Sequence, residues 1–569
     1  MYATQCIDVQ CIERPPLGAR NRAAGFSHNL LHSPAVPMTL PHLPIRTGLY
    51  SNPEGKFLHQ VLLEACNKYA NKTAVVDTSC TPYRRISYAE YGELVERTAR
   101  GLVAAGVRPG HMIGVYLPNC WEFGVAFHAA IMAGATPTTM NPTYREREVR
   151  YQMEVSEAIA LVSDGALLQG MDLSDLPALR KVYTTRCEGS ISAEPLRNLY
   201  EYSGKDALPQ PEHDSQLALA TLPFSSGTTG LPKGVMLSHY NIVTNVYQTL
   251  TDGETGSLTD ADSILCFLPL YHIYGLTVGL NMGLLRGCTV VLMPRFDCEG
   301  SLRIAVEEEV TVNLCVPPVL LAYCNALDQG KFPKEHKMHW VKSGAAPLAS
   351  DLARRFTEST GIPIRQGYGM TEASPVTHMG FLDPQFYRGD SIGGPVALTE
   401  CKVVDEGQSE VAPGELGELV MRGPQFMLGY WKAPEATDGV LRDGWYWSGD
   451  IVRFDERGLY YVVDRRKEMM KYRGFSIAPA EVEGVLLEHP AVRDCGVVSR
   501  VDYAGEEIPC AFVALRDTYL ETEETSSGLQ EFVATRLCNY KMPREIHFVQ
   551  SIPRTASGKI LRRDLRKLF

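Results

Sequence analysis

The chain has 569 residues, is 45% hydrophobic and 21% charged, and carries a net charge of −11. That is long enough for more than one large core and soluble in texture, and the acidic balance argues against a protein that coats nucleic acid. Its 15 cysteines form no CxxC pair, the nearest two being Cys6 and Cys11, which excludes a zinc-ribbon pattern and suits a reducing compartment.

Residues 1–45 are Pro-rich and aperiodic, with Arg14, Arg20 and Arg22 offset by Asp8 and Glu13. They read as a disordered tail or as an over-extended start, with Met38 as the alternative beginning. From about residue 55 to 460, short apolar runs alternate with helical patterns. The runs are TAVVD (73–77), MIGVYLP (112–118), AIALVSD (158–164), SILCFLPL (263–270), TVVLMP (289–294) and TVNLCVP (311–317). Tyr88 to Ala105 is amphipathic, and Val125 to Ala135, interrupted by His128, reads as a buried helix. The alternation predicts α/β architecture with largely parallel, buried strands. There is no apolar run of about 18 residues and so no predicted membrane span. Past Asp464 to Lys467 the texture changes. A helix is expected near Pro479–His489, strands near 495–515, a helix near 528–539, and then a basic tail. The expected division is a large domain over 46–464 and a small α+β domain over 465–569, joined by a hinge.

The segment PFSSGTTGLPKGVMLSH places Ser225, Ser226, Gly227, Thr228, Thr229, Gly230 and Lys233 within nine residues. Glycines let backbone N–H groups approach an anion, hydroxyls add donors, and the lysine adds charge. It is not the common nucleotide P-loop, because Gly234 rather than Ser or Thr follows Lys233. Further segments follow in order: FLPLYHIYG (267–275), SGAAPL (343–348), QGYGMTEASP (366–375), GELGELVMRG (414–423), GWYWSGD (444–450), DRRKEMMKYRGFSIAPAEVE (464–483) and PRTASGKILRRDL (553–565).

Together these resemble the signatures of the adenylate-forming superfamily, which includes acyl-CoA synthetases, 4-coumarate–CoA ligases, firefly-type luciferases and peptide-synthetase adenylation domains. The strings are most similar to 4-coumarate–CoA ligases and medium-chain acyl-CoA synthetases. The resemblance implies ATP, Mg²⁺ and coenzyme A as cofactors, and a carboxylic acid as the substrate. The Ser225–Lys233 loop would hold the β- and γ-phosphates, Thr371 the α-phosphate, and Glu372 the Mg²⁺. Tyr368 would present its aromatic plane to the adenine, and Gly344, Ala345, Ala346, Pro347, Gly367, Gly369 and Met370 are expected to line the cofactor site. Asp450 and Arg465 would take the ribose hydroxyls.

Lys559 is the expected catalytic lysine of adenylation. Lys471 and Gly474 belong to the segment expected to replace it for thiol transfer, with Lys467 at the hinge. His272 is expected beside the carboxylate, and Tyr271, Asn245, Pro318, Pro375 and Val376 around the acyl group. Arg562, Arg563, Arg566 and Lys567 read as solvated. Ala345 stands where the family commonly has glycine, which is expected to narrow the acyl tunnel, and Ser476 stands where 4-coumarate ligases commonly have glutamine. The implied activity is an AMP-forming acid–thiol ligase, cytoplasmic, without a nucleic-acid or integral-membrane partner. The alternatives are a stand-alone enzyme loading a carrier protein, a luciferase, or a non-catalytic nucleotide-binding relative. Ile273 occupies the position where amino-acid activators usually carry aspartate, and Lys233, Glu372 and Lys559 are all present.

Overall fold

The computed structural model describes residues 53, 55–185, 192–211, 214–225, 231–250, 258–346, 348–383, 386–472, 475–502, 507–555 and 558–569. The expected tail and the site residues Ser226, Gly227, Thr228, Thr229, Gly230, Pro347 and Gly474 expected from the sequence lie outside them.

The apolar runs are strands, and most are buried on both faces, because helices cover the parallel sheets. One parallel sheet has the order 136–139, 112–116, 158–163, 181–184, 194–195. The larger sheet has nine strands, in the order 394–395, 376–379, 364–369, 340–343, 312–315, 263–266, 289–292, 73–77, 84–87. Its six central strands, from Ile364–Gly369 to Thr73–Asp77, run parallel. Their carboxyl ends therefore share one edge. From Ser263–Cys266 the chain crosses to Thr289–Leu292 on one side and then to Val312–Cys315 on the other. Such a switch in strand order opens a crevice at the carboxyl edge. That edge carries His272 and Gly344 in its loops, Pro318 in the first turn of helix Pro317–Asp328, and Tyr368 at the end of its own strand.

The expectation of largely parallel strands holds only to about residue 369. The chain between Glu400 and Arg465 forms an antiparallel sheet ordered 400–404, 417–422, 445–454, 441–442, with 460–465 also on 445–454. Burial there alternates along Trp445–Phe454, as in a sheet with one covered face. A third small sheet pairs Lys233–Ser238 with Leu219–Thr221, Phe224–Ser225 and Gly429–Tyr430.

Beyond residue 469 the hairpin 470–477, helix Pro479–Leu487 and strands Val492–Val501, Glu507–Leu515 and Glu545–Phe548 enclose a separate core of Met470, Ile477, Val482, Leu486, Val497, Val513 and Leu529. The helix expected near 528–539 runs instead from Glu523 to Ala534, because the Thr522 hydroxyl accepts the Thr525 N–H at 3.1 Å and starts it earlier. The tail read as solvated is partly buried. Arg562 donates to both carboxylate oxygens of Glu483 at 2.8 Å and to the Val497 carbonyl at 3.1 Å, and Arg566 pairs with Glu468 at 2.9 Å. Arg563 is exposed, and Lys567 pairs with Asp564 one helical turn earlier. No helix among the described residues is long and apolar enough to cross a membrane.

Candidate active site

Asp450 and Arg465 lie directly opposite one another on adjacent antiparallel strands, with Arg465 Nε 3.3 Å from Asp450 Oδ1. The Tyr368 hydroxyl, from the end of strand Ile364–Gly369, donates to Asp450 Oδ2 at 2.5 Å. The turn before Asp450 is fixed on three sides. Gly449, at φ +70°, donates its N–H to Glu418 Oε1 at 3.0 Å, Arg466 donates its N–H to the Gly449 carbonyl at 2.8 Å, and the Asp450 N–H finds Ser448 Oγ at 3.1 Å. The other oxygen of Glu418 pairs with Arg466 at 3.0 Å. A buried carboxylate thus ties this turn to the residue before Lys467. Gly369 is required next to Tyr368, since a Cβ there would collide with the Pro375 carbonyl.

A second cluster surrounds Glu372, which sits in the short 3₁₀ turn Thr371–Ala373 and is 8% exposed. The Tyr430 hydroxyl donates to Glu372 Oε1 at 2.8 Å, and Lys233 Nζ lies 5.7 Å from the Tyr430 ring centroid. Lys233 is paired with Ser225 across two antiparallel strands. Tyr446 feels the charges of both Tyr430 and Glu372, and burial followed by the Glu372 charge raises both phenols far above their ordinary pKa. Two tyrosines therefore connect Lys233 and Glu372 towards Tyr368 and Asp450. Among the described residues no group of three histidine, cysteine or carboxylate ligands could enclose a metal by itself. A lone carboxylate suits Mg²⁺, which usually takes one or two carboxylates with substrate phosphates.

His272 follows the strand Ser263–Cys266 and opens into a π-helix, Tyr274–Asn281, a form frequent at functional sites. Its Nδ1 accepts the Tyr274 N–H at 3.2 Å, which leaves Nε2 protonated in the neutral ring. Burial, aided by the Lys559 charge, lowers its pKa to about 4. Asn245 is not free to meet a ligand. It is fully buried, its amide donates to the Val376 carbonyl at 2.7 Å and to Gln248 at 2.9 Å, and its oxygen accepts the Val376 N–H at 3.0 Å. It fixes the backbone at Val376, and Pro375 accepts the Met370 N–H at 3.0 Å. Ala345 is exposed and adopts φ +68°, the left-handed region that favours glycine.

Lys559 reaches this edge from the small domain. Gly558 sits against Pro318 and Val316, where a Cβ would touch Pro318 Cγ at 3.4 Å. Burial lowers Lys559 to about 7, Arg465 and Lys467 add to the shift, and Asp450 opposes it. Burial also lowers Lys467, with Arg465 next. Lys471 lies on strand Met470–Tyr472, opposite Ser476 in a hairpin.

The family description "AMP-binding enzyme" matches residues 62–431, and "AMP-binding enzyme C-terminal domain" matches residues 481–559. The chain belongs to the AMP-binding enzyme family. Within it, the chain is 37% identical over 519 residues to 4-coumarate–CoA ligase 5 of Oryza sativa subsp. japonica, covering 90% of this chain and 94% of that one. Its fold matches the anthranilate CoA ligase AuaEII solved with anthranoyl-AMP at a TM-score of 0.81 and 25% identity, over 92% of this chain and 98% of that one. It matches a benzoate CoA ligase from Burkholderia xenovorans LB400 at 0.80 and 27%, over 90% and 100%.

The structure brings Ser225, Lys233, Thr371, Glu372, Tyr368, Asp450, Arg465, His272 and Lys559 onto elements that meet at the carboxyl edge or face it. The sequence motifs did not single out Tyr430, Tyr446 or Glu418, and Arg562 read as solvated rather than as a partner of Glu483. Tyr430 stands in GYWKAPEAT and Tyr446 in GWYWSGD, so the strings were visible. What they touch depends on strands from three different sheets.

Proposed function

We propose that this chain is a cytoplasmic acyl/aryl–CoA ligase that joins a monocarboxylic acid to coenzyme A at the expense of ATP, through an acyl-adenylate. The observation that carries the reading is the seating of Gly558, next to Lys559 of the small domain, against Pro318 and Val316 at the carboxyl edge, where the Lys559 charge acts on His272 and the Asp450 and Arg465 charges act on Lys559. A carboxylate oxygen attacks the α-phosphorus, the bond to the β-phosphate oxygen breaks, and pyrophosphate leaves. The transition state carries charge on phosphoryl and acyl oxygens at once, and positioned cations stabilise both. Lys559 bridges the two groups, Lys233 and Ser225 hold the outer phosphates, and Thr371 donates to the α-phosphate. Asp450 accepts from the ribose hydroxyls while Tyr368, tethered through its hydroxyl, presents its ring to the adenine. Glu372 would hold Mg²⁺, which neutralises phosphate charge. His272, neutral at physiological pH, offers Nε2–H beside the carboxylate without adding charge.

In the second step the thiol of coenzyme A attacks the acyl carbon, the C–O bond breaks, and AMP leaves with the former carboxylate oxygen. Lys559 is not needed there. A rotation about Lys467 that brings in the Lys471 strand separates the two steps. The apolar surroundings of Tyr271, Pro318, Pro375 and Val376 favour an aromatic or medium-chain acid. The test is pyrophosphate release from ATP with cinnamates, benzoates, C4–C12 acids and amino acids, each with and without coenzyme A. CoA-stimulated turnover of aromatic or aliphatic acids supports the ligase. Release with amino acids alone, indifferent to coenzyme A, refutes it.

A further inference from the structure

We propose that Arg554 is a positioning residue for adenylation, acting through Lys559, and that Asp494 anchors it. The proposal rests on the function proposed above for Lys559. Arg554 is the second residue of the segment PRTASGK, and its guanidinium is used on both edges. Nε and Nη2 donate to the two carboxylate oxygens of Asp494 at 3.1 and 2.7 Å, while Nη1 donates to the Gly558 carbonyl at 2.7 Å. Asp494 lies on the long strand Val492–Val501 and is itself oriented by the Cys495 N–H at 2.9 Å. The opposite edge of the Gly558–Lys559 peptide is held as well, for the Lys559 N–H donates to Thr555 Oγ1 at 3.1 Å. The Lys559 carbonyl accepts the Thr555 N–H at 2.8 Å, and Arg554 and Ile560 form an antiparallel bridge.

The peptide plane that carries the Lys559 Cα is therefore pinned at its oxygen by a guanidinium and at its nitrogen by a hydroxyl. Asp494 connects that plane to a sheet strand. A long, flexible lysine is directed only as well as its Cα is, and this one must meet two anions at once. The planar fork of arginine reaches a carboxylate bidentately and a carbonyl with its remaining edge, whereas the single ammonium of lysine cannot hold both partners in that geometry. Neither Arg554 nor Asp494 belongs to the apolar core of the small domain, and both are about a quarter exposed.

The experiment compares the parent enzyme with Arg554→Ala, Arg554→Lys, Lys559→Ala and Arg554→Ala/Lys559→Ala, using 4-coumarate, benzoate and octanoate as probe acids. ATP–pyrophosphate exchange reads the first half-reaction. Thioester formation from the corresponding synthetic acyl-adenylates and coenzyme A reads the second, and thermal unfolding monitors the fold. Arg554→Ala is expected to lower kcat for exchange by about 10- to 100-fold, the scale on which a misplacement near 1 Å acts. Arg554→Lys is expected to recover part of the loss, and thioester formation from acyl-adenylate to stay at the parent rate. In the Lys559→Ala background the same substitution is expected to add almost nothing, as for residues acting as a unit. Parent-level exchange in Arg554→Ala overturns the proposal, as does equal loss in both half-reactions or a full additional loss on top of Lys559→Ala. If Lys559→Ala itself exchanges at the parent rate, the role of Lys559 in the proposed function falls, and this proposal with it.

Discussion

Replacing Tyr430 by phenylalanine removes one oxygen and leaves the ring on which Lys233 rests. The lost hydroxyl is the donor to Glu372 Oε1 at 2.8 Å. Glu372 is 8% exposed, so water replaces that donor poorly. A hydrogen bond to a charged group contributes about 1.5–3 kcal/mol, and each 1.4 kcal/mol is about tenfold in rate or affinity. The carboxylate is also released to turn away from the direction in which it would meet Mg²⁺ and phosphate. Tyr430→Phe is therefore expected to lower kcat/KM for ATP in pyrophosphate release by about 10- to 100-fold, and to raise the Mg²⁺ concentration for half-maximal rate. The assay is initial-rate pyrophosphate release at fixed acid across a Mg²⁺ titration, with urea unfolding as the control for stability. A variant within about twofold of the parent in both rate and Mg²⁺ dependence would show that Tyr430 does not orient Glu372, and the reasoning about this cluster would be wrong.

Because burial takes free Lys559 to about 7, kcat/KM for ATP in pyrophosphate exchange is expected to fall as pH rises through about 7, where the cation is lost. The residual activity of Lys559→Ala should lack that limb, and a parent profile flat from about pH 6 to 8.5 counts against the assignment. Ala345→Gly relieves a left-handed alanine, worth about 1–2 kcal/mol, against a glycine entropy cost of about 0.5–1 kcal/mol. Urea unfolding should show a net gain of about 0.5–1 kcal/mol, and a loss would mean that the backbone at residue 345 is not strained. Burial lowers His128 to about 4 and His239 to about 3, below the 6.5 of the unfolded chain, so the unfolded state takes up more protons as pH falls beneath 6.5. Stability is complete above that pH and is lost on acidification towards about 4, by up to about 1.4 kcal/mol per pH unit for each histidine. Denaturation midpoints unchanged between pH 6.5 and 4.5 in the parent and in His128→Gln would contradict this.

Much of the fold was legible because burial writes itself into composition. TVVLMP and TVNLCVP are strands because sheets covered on both faces need unbroken apolar runs. The antiparallel region from Glu400 to Arg465 was less visible, since its strands lack unbroken apolar runs and carry Glu418, Asp450 and Asp464 inward. Helix Glu523–Ala534 was displaced because one threonine cap outweighed the apolar periodicity. In the site, motif order pointed to the residues proposed to touch ligands, while the partners that hold those residues in place escaped. Arg562 looked like one more basic tail residue, but both carboxylate oxygens of Glu483 and the Val497 carbonyl accept from it. Asn245 looked like a pocket residue, but its amide is consumed by Val376 and Gln248. Such roles depend on partners far away in sequence, and no local pattern encodes them.

The central claim is that a carboxylate oxygen is transferred to the α-phosphorus before the thiol arrives. The direct measurement uses a probe acid labelled with ¹⁸O in its carboxylate, turned over with ATP–Mg²⁺ and coenzyme A, with mass spectrometry of the nucleotide product. An acyl-adenylate route yields AMP carrying one ¹⁸O, together with unlabelled pyrophosphate. Unlabelled AMP, or ADP with labelled phosphate, would contradict the account.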